Sequence, residues 1–456
     1  MAIRRWWLPL GLLAAGPGLG TAELWAQSSP LSNSRALSQA ELPAPAEPVV
    51  SAPVAEAAAA PQSLAEMSLD GLVELALSNN PTLLQYAARI DVQRGRWLQS
   101  GLYLNPNVGY AGFQMGDSGK AGQQGMYFEQ MFITPGKLSL NRATASQDVR
   151  RAEELFAAQR QRVINDVSLR YFDVLYAQRA TEVTRELLRI GEQGQKAAED
   201  LFRGEQVSRI DVLQARVEVH AARINLRKAE NRHRAAWQSL MSVTGTPHYA
   251  LAPVSGDLAK DVPVLEFQGT LDRILATSPE LSAAQAGLDR ARFALARARI
   301  EPYPNGDLQY MPQHDNTTTN NIHTVQAYLT VPLFNRNQGN IVAAQAQIGA
   351  AQADIERLTL ELRNRLAIAF ERYANAQQQV QQYADAILPD AAESLKLVRE
   401  AYSSGQIGYL QLLTSQRTYF QANLAYLDAL RELRQSVAVI DGLLLIDSLQ
   451  TPPAMD

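Results

Sequence analysis

Cysteine is absent from all 456 residues of the chain. Its absence excludes disulfides, zinc sites built from thiolates, thiol catalysis and a lipid anchor attached to an N-terminal cysteine. An exported protein without thiols avoids unwanted oxidation, and this composition fits such a protein.

Charge of either sign is nearly balanced, and long apolar runs are missing. The chain has 42 Lys and Arg against 46 Asp and Glu, a net charge of −4, and no basic stripe. This composition argues against nucleic acid as a partner. Beyond the N-terminus, no segment offers the roughly 18 uninterrupted apolar residues of a transmembrane helix. If the chain crosses a membrane, it must therefore do so with strands.

Sequence motifs for catalysis are also missing. There is no phosphate-binding loop, and no nucleophile accompanied by a base and an orienting group. Helical His220 and His233 are too far apart for an i,i+4 metal pair. His314 and His323 flank a polar loop, where a surface role is favoured over weak binding of a cation. We therefore predict no enzyme activity, no cofactor and no metal site.

The N-terminus has the features of a secretory signal peptide, predicted at 1–26. A pair of arginines is followed by an apolar stretch that is too short to span a membrane with ease, and Ala26 offers a small residue for cleavage. A transmembrane anchor is the alternative. Residues 27–67 are rich in Ala, Pro and Ser without periodicity, which predicts a flexible or extended tether.

The rest of the chain contains an internal duplication with an offset of about 200 residues. The matching landmarks are Asn80-Pro81 with Ser278-Pro279, Asn105-Pro106-Asn107 with Tyr303-Pro304-Asn305, Pro135 with Pro332, and residues 202–207 with 402–407. A period this long is not that of a short solenoid repeat. It predicts two structural repeats at 68–250 and 271–449, with a linker at 251–270 and a tail at 450–456.

Each repeat is predicted to begin with a helix pair and two short strands. Apolar and polar residues alternate in the clearest of these strands, with Val325, Ala327 and Leu329 on one face. The strands are predicted at about 107–115 and 126–133 in the first repeat and at about 307–311 and 324–331 in the second. A soluble hairpin and a barrel strand in a membrane share this alternation, so the surrounding helices must decide between them.

Those helices are predicted from a long stretch without proline. About 110 residues between Pro135 and Pro247 contain none and are rich in Ala, Leu, Glu, Gln and Arg. This predicts a helical hairpin at about 137–245, repeated at about 339–447. An arm of about 65 residues is roughly 100 Å long. Such a hairpin has too few neighbours in its own chain, so other copies must cover it.

Together these features resemble the TolC family of outer-membrane efflux proteins, from about Ser68 to Leu449. The resemblance rests on the duplication, the order of elements and local patterns. These patterns are Asn80-Pro81, Pro106-Asn107 before a strand, Gly204 followed by 207–213 (VSRIDVL), and 332–340 (PLFNRNQGN) before an Ala-rich helix. The segments Leu104-Asn105-Pro106-Asn107, Pro135-Gly136-Lys137 and 334–339 resemble the heavy-metal efflux branch, of the CzcC/CusC-like kind.

The resemblance implies a mainly α fold with a small transmembrane β part. Each protomer would give four strands to a 12-stranded β-barrel, and the helices of a homotrimer would form an α-barrel tunnel in the periplasm. The implied function is a passive exit duct of a tripartite efflux pump, for substrates such as metal ions or small toxic compounds. Its partners would be outer-membrane lipid, a periplasmic adaptor (membrane fusion) protein and an inner-membrane RND-type transporter. A type I protein-secretion exit channel and a periplasmic coiled-coil scaffold without a pore are the alternatives.

The resemblance also implies where the adaptor docks and where the channel closes. The docking residues lie on the two periplasmic turns and are Gly204, Val207, Ser208, Gly405, Ile407 and Gly408. A periplasmic gate would use Asp211 and Tyr402, with the hydroxyl donating to the carboxylate. Relatives place acidic residues where this chain has Gln411 and Thr414, so those two positions supply no carboxylate ring at the mouth, and Asp211 is the remaining candidate for a ring of charge.

Overall fold

A computed structural model describes residues 67–116, 119, 121–260, 262–404 and 406–450. The predicted signal peptide, the tether up to residue 66 and residues 451–456 of the tail lie outside these ranges. Within them the chain forms nine α-helices and four strands. In chain order these are α1 Leu69–Asn79, α2 Pro81–Ser100, β1 Asn107–Phe113, β2 Gln123–Phe132, α3 Lys137–Arg203, α4 Arg209–Thr244, α5 Phe267–Thr277, α6 Pro279–Ile300, β3 Gly306–Asp315, β4 Asn320–Leu329, α7 Gln338–Gln382, α8 Leu388–Ser403 and α9 Tyr409–Asp441.

Each repeat opens with two helices, and in both repeats a polar capping residue lies between them. Asn80 caps α2, and its side-chain oxygen accepts from the Thr82 amide at 2.9 Å. Ser278 caps α6 in the same way, and a proline follows each cap at the first helical position, where a missing N–H costs nothing. The Asn80 amide group also donates to the buried Val243 carbonyl at 2.7 Å, which fixes α2 to the end of α4.

The long helices follow the predicted hairpins, with one interruption. Helix α3 has 67 residues and is about 100 Å long. Its counterpart in the second repeat is divided into α7 and α8 by a π-helical segment, Tyr383–Ile387. Pro389 lies just after this segment, in the first turn of α8. A proline inside a helix lacks an N–H and collides with the carbonyl four residues earlier, so a local widening of the helix relieves the clash.

Two buried apolar clusters hold the helices together, one in each repeat. The first is formed mainly by α1, α3 and α4 around Leu175 and Leu240, and the second by α5, α7 and α9 around Leu362 and Ile440. Phe267 begins α5 and packs edge-on against Phe370 at 5.5 Å, so the predicted linker ends four residues earlier than expected. Elsewhere α2 packs on α3, α3 on α6 and α6 on α7.

The four strands form one antiparallel sheet in the order β1-β2-β3-β4. Their bounds differ from prediction by up to four residues. Strand β1 ends at Phe113 because Gln114 and Gly116 have positive φ angles, 52° and 87°. Strand β3 extends to Asp315, four residues beyond the predicted end, and contains Pro312. Because Pro312 has no N–H, the β2–β3 ladder is interrupted there.

The register of the sheet separates an apolar face from a polar one. Val108 faces Phe128, Phe128 faces Tyr310, and Tyr310 faces Val325 across the four strands. The opposite face has Asn107, Glu129, Gln309 and Gln326 in one row. The large side chains of the apolar face are solvent-exposed in the protomer, including Val325 at 65%.

None of the helices among the described residues is long and apolar enough to span a membrane.

Candidate functional site

The first of the two predicted docking turns joins α3 to α4 and is closed by backbone hydrogen bonds. The Gly204 amide donates to the Asp200 carbonyl at 3.1 Å, and the Gln206 amide donates to the Leu201 carbonyl at 2.9 Å. Gly204, one of the predicted docking residues, lies in this turn but does not take its left-handed step. Gly204 has φ −82°, which any residue adopts, and the left-handed position is Glu205 at φ 57°.

The start of α4 fixes Asp211, one of the two predicted gate residues. Ser208 caps the helix, and the Asp211 carboxylate accepts from the Ser208 amide at 3.0 Å and from its hydroxyl at 2.9 Å. The Asp211 amide donates back to the Ser208 hydroxyl oxygen. This reciprocal capping box satisfies donors that a helix start leaves free, so Asp211 has a structural role in the turn.

The second turn, between α8 and α9, repeats this geometry with different chemistry. The Gln406 amide donates to the Ala401 carbonyl at 2.9 Å, matching Gln206 and Leu201. Gly408 occupies the capping position, and its amide donates to the Gln411 side-chain oxygen at 3.2 Å. Gln411 therefore takes the place of Asp211 as the reciprocal cap, without the charge. Gly405, a predicted docking residue, lies outside the described residues.

The predicted hydrogen bond between Asp211 and Tyr402 is not formed within the protomer. The Tyr402 hydroxyl is buried and has no hydrogen-bond partner among the described residues. Burial raises the pKa of Tyr402, and the nearby negative charge of Asp211 raises it further. The two groups are thus close enough to interact electrostatically, but the carboxylate is committed to Ser208. A buried hydroxyl without a hydrogen-bond partner lowers the stability of the fold, and repacking or a new partner would remove this free-energy cost.

Apolar packing joins the two hairpins near the turns. Ala198 of α3, Val212 of α4 and Leu395 of α8 belong to one buried cluster with three residues of α9, namely Tyr409, Leu412 and Leu413. Tyr402 packs against the rim of this cluster, with its ring 6.0 Å from that of Tyr409 in an edge-on arrangement. Tyr402 therefore contributes to this cluster through its ring.

An ion pair that sequence reasoning missed also connects the hairpins. Glu218 of α4 accepts hydrogen bonds from the Arg417 guanidinium of α9, and the Glu218 side chain is only 11% exposed. The pair raises the pKa of Arg417 through this hydrogen bond. Beside it, burial and then the charge of Glu218 raise the pKa of Tyr409 to about 12. The only sequence signal was that Glu218 and Arg417 lie at nearly equivalent positions of the two repeats.

A cavity of about 970 Å³ lies between the two turns. Six of the predicted docking and gate residues line it, namely Val207, Ser208, Asp211, Tyr402, Ile407 and Gly408. A Cβ atom added at Gly408 would meet no atom within 4 Å, so this glycine leaves open space at the surface. The structure thus brings both turns to one concave surface, whose lining is mainly apolar and uncharged polar and includes the charged groups of Asp200, Asp211 and Arg399.

The predicted absence of a metal site concerns His314 and His323, which lie on one face of the sheet as diagonal neighbours, because His323 faces Pro312. His314 is paired with Asn321 at 3.0 Å and His323 with Tyr310 at 2.8 Å, both on the sheet. No group of three or more metal-ligating side chains occurs in the parts of the chain that the structure describes.

A strand pair followed by a long helical hairpin, occurring twice in one chain, is the architecture of an outer-membrane channel with a helical periplasmic part. The chain belongs to the outer membrane efflux protein family, whose model matches residues 72–246 and 270–444. It is an efflux channel of the outer membrane. This confirms the family, the mainly α fold with a small β part and the cellular location that the sequence predicted.

Individual relatives support the same assignment. The chain is 27% identical to the cobalt-zinc-cadmium resistance protein CzcC of Cupriavidus metallidurans over 83% of this chain and 90% of that protein. It shares its fold with a membrane protein from Pseudomonas aeruginosa, with 20% identity, a TM-score of 0.71 and coverage of 82% and 92% of the two chains. CusC shares it with 19% identity, a TM-score of 0.66 and coverage of 83% and 92%. The resemblance to the heavy-metal efflux branch is thereby confirmed.

Proposed function

We propose that three copies of the chain assemble into a passive exit duct through which a tripartite pump exports metal ions. The observation that carries this proposal is the four-stranded sheet, which has an exposed apolar face and one free edge at each of β1 and β4. Four strands cannot close a barrel, and free edges in lipid leave backbone groups unsatisfied. Joining β4 of one copy to β1 of the next gives a closed barrel of twelve strands.

The helices support the same assembly. Helices α2, α3, α6 and α7 pack side by side in this order. The outer helices α2 and α7 therefore each have one flank that no other helix of this row covers. Both expose large apolar side chains: Leu84, Val92 and Leu98 on α2, and Val342, Leu360 and Ile368 on α7. A second copy that places its α7 against α2 would cover both sets at once. A repeated contact of this head-to-tail kind closes into a ring.

We infer the partners and the exported substrate from the heavy-metal efflux branch of the family. The CzcC relative is named for resistance to cobalt, zinc and cadmium. We extend this cargo to the present chain, with a periplasmic adaptor that docks on the two turns and an RND-type transporter that supplies energy and substrate selection. The duct itself provides a water-filled path and a gate, with no catalytic step.

We place the gate at the same turns, with roles revised by the contacts. Asp211 holds the first turn through Ser208, Tyr402 packs its ring on the apolar cluster, and Glu218 with Arg417 ties the two hairpins. An adaptor that binds the turns from outside would have to separate these contacts to widen the mouth.

The test combines a channel measurement with a resistance assay. The purified trimer should give stepwise conductance in a planar bilayer, and deletion of the gene should sensitise cells to cobalt, zinc or cadmium until the wild-type copy is restored. Absence of conductance together with a water-soluble protein would favour the scaffold. Unchanged metal resistance with loss of a secreted protein would favour the type I secretion exit.

A further inference from the structure

The two repeats contact each other inside one copy where the sheet joins the helices. Thr134, which follows β2, donates its amide to the Asn305 side-chain oxygen at 3.1 Å and its hydroxyl to the Pro304 carbonyl at 2.6 Å. Lys137, the first residue of α3, donates its ammonium group to the same Asn305 oxygen at 3.2 Å. The segment after β2 is thus fixed to the segment before β3.

The corresponding segments at the two edges of the sheet are exposed. Residues 102–107, before β1, are all exposed, and so are residues 333–336, after β4, with Phe334 at 91%. Strands β1 and β4 lie three strand spacings apart, about 14 Å, so these segments do not meet within one copy. Because the two repeats are duplicates, the contact that forms once within a copy is available once more between copies.

The segments after β2 and after β4 are equivalent at the caps that begin α3 and α7. Gly136 caps α3 with φ 92°, and Asn337 caps α7 with φ 60°, both in the left-handed region. These caps lie 201 residues apart, whereas the prolines before them, Pro135 and Pro332, lie 197 residues apart. The segment after β4 is therefore shifted by four residues relative to the equivalence that the prolines suggest.

The registers of the two hairpins give the same shift. The segments before β1 and before β3 are equivalent at an offset of 198 residues, the separation of their prolines. Val108 faces Phe128 in the first hairpin, and its counterpart Gly306 faces Leu329 in the second. Phe128 and Leu329 are again 201 residues apart, so the helix caps and the strand ladders agree on the equivalence of β2 with β4.

The same equivalence gives a register between copies. Gln130 of β2 faces Leu308 of β3 within a copy. Their counterparts at these offsets are Val331, just after β4, and Tyr110 of β1. We infer that β4 of one copy pairs with β1 of the next so that Val331 faces Tyr110, and that the segment after β4 packs on the segment before β1. This inference rests on the proposed function and names the surface through which the copies join.

The exposed segment after β4 takes part in the same contact. Asn335 lies two residues before the cap of α7, as Thr134 lies two residues before the cap of α3. Asn107 has the same place before β1 that Asn305 has before β3. Asn335 of one copy therefore meets Asn107 of the next. The contact covers residues 333–336 and closes the wall where the sheet passes into the helices.

The inferred register also gives both halves of the barrel the same stagger. From Val108, the ladder through β2 reaches Tyr310 on β3, four residues beyond Gly306, the counterpart of Val108. From Gly306, the inferred register through β4 reaches Gly112 of the next copy, again four residues beyond Val108. The register given by the prolines would return to Val108 with no stagger. Stagger and strand tilt are linked in a closed barrel, so equal stagger keeps the tilt uniform.

Cysteine pairs on the polar face test this register, because the chain has no cysteine of its own. Ala111 and Thr330 face each other between copies in the inferred register, whereas Ala111 and Gln326 face each other in the register given by the prolines. Thr330 and Gln326 lie on the same face of the same strand, about 14 Å apart. A disulfide requires Cα atoms within about 7 Å, so only one of the two pairs can be bridged.

The experiment oxidises the full-length variants in outer membranes and separates them on gels without reductant. Ala111→Cys with Thr330→Cys should give bands at two and three times the monomer mass. Ala111→Cys with Gln326→Cys is the matched control and should remain at the monomer mass. Bridges within one copy do not contribute, because β1 and β4 lie at opposite edges of the sheet.

A second measurement tests the contact of the segment after β4. Asn107→Ala should lower the temperature at which the trimer band is lost, because it removes the acceptor that meets Asn335 of the neighbouring copy. Asn105→Ala is the matched control and should leave this temperature unchanged. Its counterpart in the second repeat, Tyr303, offers only its backbone carbonyl to Thr134. An equal effect of the two substitutions would contradict the contact.

The outcomes separate this inference from the proposed function. Cross-linking of the control pair in place of the first pair would overturn the inference and leave the proposed trimer intact. A stable trimer in which neither pair cross-links would overturn it too, and would indicate that lipid covers these segments. A wild-type protein that forms no trimer would contradict the proposed function itself. Tyr110→Cys with Val331→Cys, against Tyr110→Cys with Ala327→Cys, replaces the first two variants if they do not assemble.

Discussion

At the scale of single residues, the turns derive their shape from hydrogen bonds and caps more than from glycine. The backbone takes its left-handed step at Glu205, while Gly204 has an ordinary φ angle. A Cβ atom on Gly204 would meet its nearest neighbour, the Leu201 carbonyl oxygen, at 3.5 Å, which is normal van der Waals contact. What Gly204 provides is a small outer surface, and this surface is what an adaptor would approach.

Two substitutions at Gly204 distinguish a role in the shape of the turn from a role of its exposed surface in adaptor docking. Gly204→Ala should preserve trimer formation and efflux, because the position accepts a Cβ and alanine favours helical backbone by up to about 1 kcal/mol. Gly204→Arg should preserve the trimer and abolish metal resistance, because its bulk blocks docking. Trimers are measured on gels without heating, and efflux by metal sensitivity. Loss of the trimer in the alanine variant would show that Gly204 is needed by the fold.

The gate can be tested by comparing two residues near the turns. Tyr402→Phe should leave resting conductance unchanged, because the hydroxyl it removes has no partner among the described residues. Glu218→Gln should raise it, because the ion pair to Arg417 joins the hairpins. Allowing for a half-exposed Arg417, the pair is worth about 1 kcal/mol, or about 5-fold in open probability per protomer. A larger rise in resting conductance for Tyr402→Phe than for Glu218→Gln would show instead that the Tyr402 hydroxyl helps to hold the mouth closed.

At the scale of elements, the sheet depends on one close approach of backbones. A Cβ atom on Gly125 of β2 would lie 2.1 Å from the carbonyl oxygen of Pro312 on β3. Glycine is therefore required at this position, directly beside the interruption of the β2–β3 ladder at Pro312. A glycine elsewhere in the sheet need not be constrained in this way: a Cβ on Gly306 would meet nothing within 4 Å.

The pair of glycines gives a matched test of the strand pairing. Gly125→Ala should destabilise the folded trimer by about 1–3 kcal/mol, because the added methyl group forces β2 and β3 apart. Gly306→Ala, in the same sheet, should change stability by no more than about 0.5 kcal/mol. Heat-induced loss of the trimer band measures both. Equal stability of the two variants would show that the strands can shift to accept the methyl group at Gly125.

Helices and strands were predictable where one sequence pattern dominated a segment, and not where two patterns competed in it. The duplication and the long stretch without proline correctly indicated strand pairs and helical hairpins. The predicted strand end at 311 was wrong, because the sheet accommodates Pro312 through a local interruption of the β2–β3 ladder, and the predicted hairpin at about 339–447 gave no sign of the π-helical segment before Pro389. At the candidate site the turns were found from their matching strings, whereas the Glu218–Arg417 pair depends on a tertiary approach of α4 and α9 that no local pattern encodes.

At the scale of the whole molecule, the proposed trimer makes a geometric prediction about α2 and α7. Helix α2 ends where the chain enters β1, and α7 begins where the chain leaves β4, so both reach the same end of the sheet. They run in opposite directions along the tunnel wall. Leu98 and Val342 lie near the sheet, while Leu84 and Leu360 lie about 14 and 18 residues further away. At 1.5 Å per residue these distances are roughly 21 and 27 Å.

Because the chain has no cysteine, introduced thiols report on this contact without background. Leu98→Cys with Val342→Cys, and Leu84→Cys with Leu360→Cys, should form disulfides between copies and give bands at two and three times the monomer mass on gels without reductant. Leu98→Cys with Leu360→Cys is the matched control, since its thiols lie at different heights, far beyond the 7 Å that a disulfide permits between Cα atoms. Cross-linking of the control as strong as that of the matched pairs would contradict the arrangement, because it would require copies that slide or contact each other at random.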